Sequence, residues 1–344
     1  MLRSWRTAMT EALYGPAGFF VTGAPAGHFR TSVHATPAFA GALLRLLHRV
    51  DVALDRPARL DLVDIGAGRA ELLRTLTHLA PPELAARLRP VAVELAPRPV
   101  DLPAGVDWVD AVPDGLTGLL LGTEWLDNVP VDVAETGPDG WRQVLVAPDG
   151  TEQAGPPVTG ADAEWLARWW PVTGTSGGSP AGRAEIGRPR DTAWAAAVAA
   201  LDAGLALAVD YGHLRAGRPV DGTLTGYRNG RQVPPVPDGS TDLTAHVAVD
   251  AVAEAGVVPG GQPYTLVGQA GALRALGVDG ARPPLALAGT DPAGYVRALA
   301  AASAAAELTD PAGLGGHWWL LQPVGIDPAP LLAPGIDPTP SMAR

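Results

Sequence analysis

The clearest chemical motif in the chain is an acidic residue followed by two glycines, between an apolar run and an amphipathic segment. The run Leu60–Ile65 predicts a strand, and Glu71–Leu79 has the apolar spacing of a helix. Gly66 and Gly68 between them allow a tight turn and let a ligand lie against the backbone at the carboxyl end of the strand. This unit predicts a cofactor site, and the alternative is a turn with a purely structural role.

Two classes of cofactor use such a turn, and the residue at position 71 separates them. The NAD fingerprint has a third glycine where Glu71 stands, and a carboxylate there competes with pyrophosphate for the helix N-terminus. S-adenosylmethionine has no phosphate, and its cationic sulfonium favours an acid such as Asp64. Glu94 ends the next apolar strand, where a carboxylate can bind both ribose hydroxyls; the alternative is an exposed carboxylate. We therefore expect S-adenosylmethionine at Asp64, Gly66, Gly68 and Glu94.

Two carboxylates three residues apart follow the predicted fourth strand, at 119–121. Glu124 and Asp127, with the rigid Pro130 after them, are expected at the sheet edge that holds the cofactor. A pair of carboxylates can orient a planar cation such as guanidinium, and orientation is most of what methyl transfer requires. A carboxylate can also accept the proton that an acceptor nitrogen must lose. The alternative, a capped turn with solvated acids, explains these residue types equally well.

Other polar residues at the same edge are weaker candidates. Asp210 ends the predicted fifth strand, at 206–209, where it either orients a partner group or forms an Asx-type turn. A helix is predicted over 242–255, capped by Thr241 or by its own first residue, and His246 within it is expected to pack or to form hydrogen bonds. None of the seven histidines has the spacing of a metalloprotease motif, so that no metal site is predicted.

Strands and helices alternate along most of the chain, which predicts an α/β fold with a doubly wound, mostly parallel sheet. The predicted strands are 60–65, 91–95, 106–109, 119–121 and 206–209, with 264–267 and 318–321 as an antiparallel pair. Gly122 is expected to end the fourth strand. The predicted helices beside them are 37–50, 71–79 and 192–201.

Residues 132–189 interrupt this alternation and predict an insertion between the fourth and fifth strands. A hairpin is expected around 141–146, a Trp-rich helix at 162–170 and a flexible loop at 173–182. After Ile326 the sequence is rich in proline, which predicts a disordered tail.

The composition excludes several kinds of chemistry. The chain has 25 Lys+Arg residues, all of them arginine, against 36 Asp+Glu, for a net charge of −11. Without lysine there is no Schiff base and no Walker phosphate loop, and without cysteine there is no thiolate nucleophile and no Cys-ligated metal centre. The negative charge argues against a nucleic-acid partner. The sequence shows no membrane or export signal, and its Ala, Gly, Pro and Arg bias favours a cytoplasmic bacterial protein.

A set of motifs in fixed order resembles the MidA-like family of class I S-adenosylmethionine-dependent methyltransferases, relatives of the mitochondrial complex I assembly-factor arginine methyltransferase. The motifs that carry the resemblance are residues 12–16 with 18–20, 27–32, 64–68, 93–94, 124–127 with 129–130, 185, 209–212, 222–224 with 227–228, 242–247 and 276–277. Each motif is short, but the ordered set, which spans about residues 5 to 323, is specific.

This resemblance implies a Rossmann-like fold in which a seven-stranded sheet carries N-terminal helices and inserted segments over the active site. The corresponding parts are an N-terminal helical cap at residues 1–50, a methyltransferase domain at 51–325 with an insertion at about 132–190, and a tail at 326–344.

The resemblance also implies roles for individual residues. It places Asp64, Gly66, Gly68 and Glu94 at the cofactor, and the catalytic pair Glu124 and Asp127 at the acceptor. The candidate substrate-binding residues beside them are Asp210, Tyr211, Tyr227 and His246. Because the acceptor of the mitochondrial relative is an arginine of a respiratory-complex subunit, we expect a protein arginine as the substrate of this chain.

Four residues depart from the family pattern and keep two alternatives open. His28 and Ala248 replace aspartates, Thr123 replaces an asparagine, and Gly230 stands where a histidine is expected. These changes cluster in the acceptor-side motifs and spare the cofactor turn. One alternative is a small-molecule N- or O-methyltransferase, with a closed apolar pocket under residues 162–171. The other is a non-catalytic assembly protein that keeps the fold.

Overall fold

The computed structural model describes residues 1–22, 37–171, 174–176, 179–258, 261–278 and 280–332. The largest sheet within these ranges is a mixed sheet of seven strands. Its strands in chain order are β1 (Leu60–Ile65), β2 (Leu88–Val93), β3 (Asp107–Val109), β4 (Leu116–Thr123), β5 (Leu201–Asp210), β6 (Thr265–Gly268) and β7 (Trp318–Val324). Across the sheet they lie in the order β3-β2-β1-β4-β5-β7-β6.

Strand direction divides this sheet into a parallel part and an antiparallel edge. The strands β3, β2, β1, β4 and β5 pair in parallel, whereas β7 is antiparallel to both β5 and β6. Every residue of β1 is buried, as expected for a strand that is covered on both faces. The prediction of an α/β fold with a mostly parallel sheet and an antiparallel closing pair is confirmed.

Helices cover both faces of the sheet. In chain order they are α1 (Trp5–Tyr14), α2 (Phe19–Thr22), α3 (Pro37–Ala53), α4 (Glu71–Leu79), α5 (Pro82–Ala85), α6 (Gly160–Trp169), α7 (Arg188–Ala199), α8 (Val249–Ala255), α9 (Gln269–Ala275), α10 (Ala286–Thr290) and α11 (Pro292–Thr309). Apolar residues of α3, α4, α9 and α11 form one core with the sheet, and those of α7 and α8 form a second core on its other face. No helix in the described ranges combines the length and the apolar content needed to cross a membrane.

The insertion forms a second sheet, and its predicted hairpin and Trp-rich helix are both present. The strands of this sheet are Arg3–Ser4, Asp132–Gly137, Gly140–Val146, Glu152–Pro157 and Arg183–Ile186. Trp5, Met9 and Leu13 of α1 belong to the core that this sheet forms, whereas α3 packs on the central sheet. The first fifty residues therefore contact two different parts of the molecule.

Further short strands lie outside these two sheets, and two of them fall within 242–255, where one helix was predicted. They are Gly174–Ser176, Ser179–Ala181, Gly212–His213, Thr225–Arg228, Arg231–Val233, Asp242–Thr244 and Val247–Ala248. Asp242–Thr244 pairs with Thr225–Arg228, and helix α8 begins only at Val249. Leu243 is fully buried in this pairing, so that tertiary contacts outweigh the helical spacing of the sequence.

Three further predictions are wrong in part. Gly122 does not end β4, because β1 and β5 continue to pair with that strand at this position. Residues 174–176 and 179–181 form a strand pair where a loop is predicted. The predicted tail packs on the core over its first residues: Ile326 and Leu331 are buried, and Arg49 donates to the carbonyl of Leu331 at 3.0 Å. The rest of the predicted tail lies outside the described residues, as do residues 27–32 with His28.

Candidate active site

A cavity of about 1050 Å³ lies at the carboxyl ends of the parallel strands. The strand order reverses between β1 and β4, and open α/β sheets bind their ligands at such a switch point. The walls come from the segments after β1, β2, β3, β4 and β5, from α1 and α2, from residues between 227 and 244, and from His317. The predicted site residues in this lining are Asp64, Gly66, Gly68, Glu94, Glu124, Asp127, Tyr211 and Tyr227.

The part of the cavity formed by Asp64, Gly66, Gly68 and Glu94 is called the cofactor end below. Its glycine turn needs both glycines, because Gly66 has a φ of 70° and Gly68 a φ of 56°. A Cβ atom on Gly66 would lie 3.4 Å from the ring of Trp125, which follows β4. The turn therefore presents bare backbone to the cavity, with an indole packed against it.

Glu94 joins the end of β2 to the glycine turn. Its Oε2 accepts the N–H of Gly68 at 2.9 Å, and its Oε1 accepts the N–H of Ala96 at 3.0 Å. These two bonds fix the carboxylate in the cavity wall. A carboxylate oxygen can accept more than one hydrogen bond, so that both oxygens keep capacity for the hydroxyls of a ligand.

Asp64 ends β1 as a buried acid. Its side chain is 3% exposed, and its Oδ1 has no hydrogen-bond partner among the described residues. Burial, together with the nearby carboxylates of Glu94 and Glu71, raises the pKa of Asp64 from 3.8 to about 8. A cationic ligand group at this position would favour the ionised form and would give the unpartnered oxygen a partner.

Two buried ionisable side chains, Asp210 and Arg190, bind the backbone of the loop after β4. The carboxylate of Asp210 accepts the N–H groups of Leu126 at 2.9 Å and of Asp127 at 3.2 Å. Arg190 donates to the carbonyls of Asp127 at 2.6 Å, of His246 at 2.9 Å and of Val129 at 3.2 Å. Asp210 is thus outside the cavity lining, and the structure places it under the loop instead of beside a substrate.

Asp127 is the centre of the acceptor end, which comprises Glu124, Asp127, Tyr211 and His317. The hydroxyls of Tyr211 and Thr244 both donate to its Oδ2, the latter at 2.7 Å. Its Oδ1 is buried and has no hydrogen-bond partner among the described residues. One oxygen of this carboxylate is therefore fixed by the protein, while the other is available to a ligand in the cavity.

Acidic residues dominate the electrostatics of the cavity. Its acidic lining residues are Asp64, Glu71, Glu94, Asp110, Glu124, Asp127 and Asp242, against the single cation Arg69 among the described lining residues. Burial raises the pKa of Asp242 well above its ordinary value, and the charge of Asp127 adds to this effect. Such a lining attracts cations and disfavours phosphate-bearing ligands.

Of the predicted substrate-binding residues Tyr227 and His246, the first lines the cavity and the second does not. Tyr227 lines the cavity, beside Gly230. His246 is exposed and outside the lining, because it lies between two short strands instead of within a helix. The centroid of its ring lies 5.1 Å from that of Tyr211, and the two rings pack edge to face.

Arg190, Thr244 and His317 are site residues that were not predicted from the sequence. Arg190 carries no local motif, and Thr244 lies in the motif at 242–247 but had no predicted role there. Only the folded chain brings the two residues to Asp127. His317 directly precedes β7. The predicted antiparallel direction of β7 is the signal that could have placed His317 at the cavity. An antiparallel strand begins at the edge where its parallel neighbours end, which is the edge that holds the cavity.

Comparisons with known proteins agree with this geometry. Residues 44–262, more than half of the chain, match the family model described as "Putative S-adenosyl-L-methionine-dependent methyltransferase". The chain belongs to this methyltransferase family. A crystal structure of a "likely methyl transferase" from Burkholderia thailandensis, "bound to S-adenosyl-homocysteine", has 25% identity and a TM-score of 0.77 over 95% of this methyltransferase and 89% of that chain.

A second structure from Burkholderia thailandensis, a native crystal structure of an uncharacterized protein, has 26% identity and a TM-score of 0.76. That similarity covers 96% of this methyltransferase and 90% of the other chain. A search of the curated proteins finds no match.

S-adenosylmethionine is therefore the cofactor of this methyltransferase, as the glycine turn and Glu71 predict. The cofactor end fits it: the turn offers bare backbone, Glu94 keeps capacity for two hydroxyls, and Asp64 has an unpartnered oxygen for a cation. The predicted relationship to a methyltransferase family is confirmed, and the arginine substrate stays a prediction.

Proposed function

We propose that this methyltransferase methylates an arginine side chain of a protein. The observation that carries the proposal is the carboxylate of Asp127, which is buried, fixed on Oδ2 and unpartnered on Oδ1 in the cavity wall. A buried carboxylate oxygen with no donor calls for a cationic or N–H-bearing ligand. A guanidinium group supplies both properties in one planar unit.

The residues of the acceptor end have distinct tasks in this proposal. Asp127 and Glu124 bind and orient the guanidinium, while the hydroxyls of Tyr211 and Thr244 keep the Asp127 carboxylate in one orientation. Asp210 and Arg190 fix the backbone that carries both acids. When bound, S-adenosylmethionine supplies a methyl group on a sulfonium at the neighbouring cofactor end.

The partner that fits this site is a basic segment of a protein. The net charge of −11 and the acidic lining attract a positively charged peptide and repel nucleic acid. The feature expected of a small-molecule enzyme is an apolar pocket under residues 162–171, and none of these residues lines the cavity. We therefore rank the protein substrate above the small molecule.

Deuteromethyl transfer to matched peptides tests the proposal. Basic peptides that differ only in carrying arginine or lysine are incubated with labelled S-adenosylmethionine, and mass spectrometry locates the label. We expect label on arginine alone, and none with Asp127→Asn. Label on lysine or on a small acceptor would contradict arginine as the substrate. Tight binding of S-adenosylhomocysteine with no transfer to any acceptor would favour the non-catalytic alternative.

A further inference from the structure

His317 lies in the wall of the acceptor end, at the start of β7. The next residue, Trp318, pairs with Asp210 in the ladder between β7 and β5, which places His317 beside the carboxyl end of β5. The side chain is 7% exposed, so that the imidazole is largely shielded from solvent. At Gly230, where the family pattern predicts a histidine, the same cavity has no side chain. Among the described residues that line this cavity, His317 is the one histidine.

The hydrogen bond on one ring nitrogen assigns the tautomer of His317. Its Nδ1 lies 2.7 Å from the carbonyl oxygen of Leu314. Because a carbonyl oxygen only accepts, Nδ1 carries the hydrogen and donates it. In the neutral ring Nε2 then has a free lone pair. This Nε2 is buried without a hydrogen-bond partner among the described residues, and it lies 3.6 Å from Oε1 of Glu124.

Burial favours the neutral form of the ring before reaction. Burial lowers the pKa of His317 below its ordinary value of 6.5, and the neighbouring His246 acts in the same direction. The bond to Leu314 and the charge of Asp127 oppose this shift but do not reverse it. The phenol of Tyr211 packs edge-on against the ring, with centroids 5.5 Å apart. A neutral imidazole with a free Nε2 is thus available at neutral pH.

We propose that Nε2 of His317 accepts the proton which the acceptor nitrogen loses when it is methylated. This role rests on the proposed function, because it requires an acceptor nitrogen that bears a proton. In the step, the nitrogen forms a bond to the methyl carbon, the S–C bond breaks with its electron pair left on sulfur, and the N–H proton passes to Nε2. The imidazolium then faces the carboxylate of Glu124, which stabilises the positive charge.

A single substitution separates this role from a structural one. In His317→Asn the amide nitrogen replaces Nδ1 as donor to the Leu314 carbonyl, while the proton acceptor at Nε2 is lost. We expect kcat for the arginine peptide to fall by roughly 10²–10⁴-fold, the contribution of a general base. The KM for the peptide and the affinity for S-adenosylhomocysteine should stay at the wild-type values. The matched control is His78→Asn, on the exposed last turn of α4.

The pH profile of kcat gives a readout that a structural role would not move. Wild-type activity should fall towards low pH as Nε2 becomes protonated, and this acidic limb should be absent from the residual activity of His317→Asn. An unchanged kcat, or an acidic limb that persists in the variant, would overturn the proposal.

Nitrogen-15 NMR of histidine-labelled protein tests the inference without any methyl acceptor. The His317 resonance, assigned by its loss in His317→Asn, should show a protonated Nδ1 and a bare Nε2 at neutral pH. A protonated Nε2 would overturn the proposal. Methylation of another nitrogen but not of arginine by the wild-type enzyme would contradict the proposed substrate but not the role of His317. The His317→Asn variant and the pH profile of kcat would then test that role with the other acceptor.

Discussion

The two ends of the cavity are built in different ways. The cofactor end comes from two short segments, residues 64–68 and Glu94, joined by a bond from the Gly68 N–H to the Glu94 carboxylate. The acceptor end gathers Glu124, Asp127, Tyr211 and His317 from the loops after β4 and β5 and from the residue before β7, and Thr244 of a short strand donates to Asp127. A supporting layer with Arg190 and Asp210 lies beneath it.

This difference explains what each end can tolerate. Backbone geometry and the carboxylates of Asp64 and Glu94 define the cofactor end, and only two short segments have to come together for it to form. The acceptor end depends on buried side chains from distant parts of the chain, so that one change in the supporting layer alters the position of Asp127. The departures from the family pattern at Thr123 and Gly230 both line the cavity, while the glycine turn keeps its pattern. Four variants separate the two ends, and they follow from the largest expected effect to the smallest.

Arg190→Met should have the largest effect, and it acts on the acceptor end. The Arg190 side chain is 1% exposed, donates to three carbonyls and lies near the acids Asp127, Asp210 and Glu185. Loss of this cation leaves buried acids uncompensated, which should lower the free energy of unfolding by about 3–5 kcal/mol in urea titrations. The control Arg188→Met, on the same helix, removes a partly exposed ion pair worth less than about 1 kcal/mol. Equal losses in both variants would contradict the supporting role of Arg190.

Asp127→Asn should separate transfer from cofactor binding. The variant removes the charge that orients the acceptor, and misplacement of a reacting group by about 1 Å costs roughly 100-fold in rate. We expect at least that loss in the rate of deuteromethyl transfer, with unchanged affinity for S-adenosylhomocysteine by calorimetry. If affinity falls together with the rate, the two ends are not separable.

Glu94→Gln should weaken the cofactor end alone. Hydrogen bonds to a charged group are worth about 1.5–3 kcal/mol, which corresponds to roughly a 10- to 150-fold rise in the Kd of S-adenosylhomocysteine. Glu83→Gln, an exposed change on α5, should leave the Kd at the wild-type value. A Kd that does not respond to Glu94→Gln would remove this residue from the ribose site.

The unusual pKa of Asp64 should appear as a pH dependence of stability in the cofactor-free enzyme. Between about pH 4 and pH 8 the folded state keeps a proton on Asp64 that the unfolded chain has released. The free energy of unfolding should therefore fall as the pH rises through this window, by up to about 1.4 kcal/mol per pH unit. Asp64→Asn should flatten this slope in urea titrations at several pH values. An identical slope in the variant would show that Asp64 titrates normally.

The cofactor end was predictable because its information is local. The apolar run 60–65, the glycines after it and Glu94 at the next strand end specify a turn and a ligand class without knowledge of the rest of the fold. Glu71 stands where the NAD fingerprint has its third glycine. Its negative charge disfavours the pyrophosphate of NAD and so favours S-adenosylmethionine.

The acceptor end was predictable only where a residue ends a strand. Glu124 and Asp127 follow a parallel strand and were located by that rule, and Tyr211 was named through the family resemblance. The role of Asp210 was not predictable, because its partners are backbone groups of another loop. Residues 242–248 have helical spacing but contain two short strands, since 242–244 pair with 225–228 and 247–248 pair with 212–213. Nothing in the local sequence around Arg190 indicates that its guanidinium reaches three carbonyls beneath that loop.

Binding of an arginine peptide to the enzyme saturated with S-adenosylhomocysteine tests the acceptor end most directly. Calorimetry with wild type and Asp127→Asn, each first titrated with S-adenosylhomocysteine, measures the two ends in one protein sample. We predict that both proteins bind S-adenosylhomocysteine equally and that only the wild type then binds the arginine peptide, in preference to its lysine counterpart. Equal peptide binding by both proteins, or no preference for arginine over lysine, would contradict Asp127 as the carboxylate that holds a guanidinium.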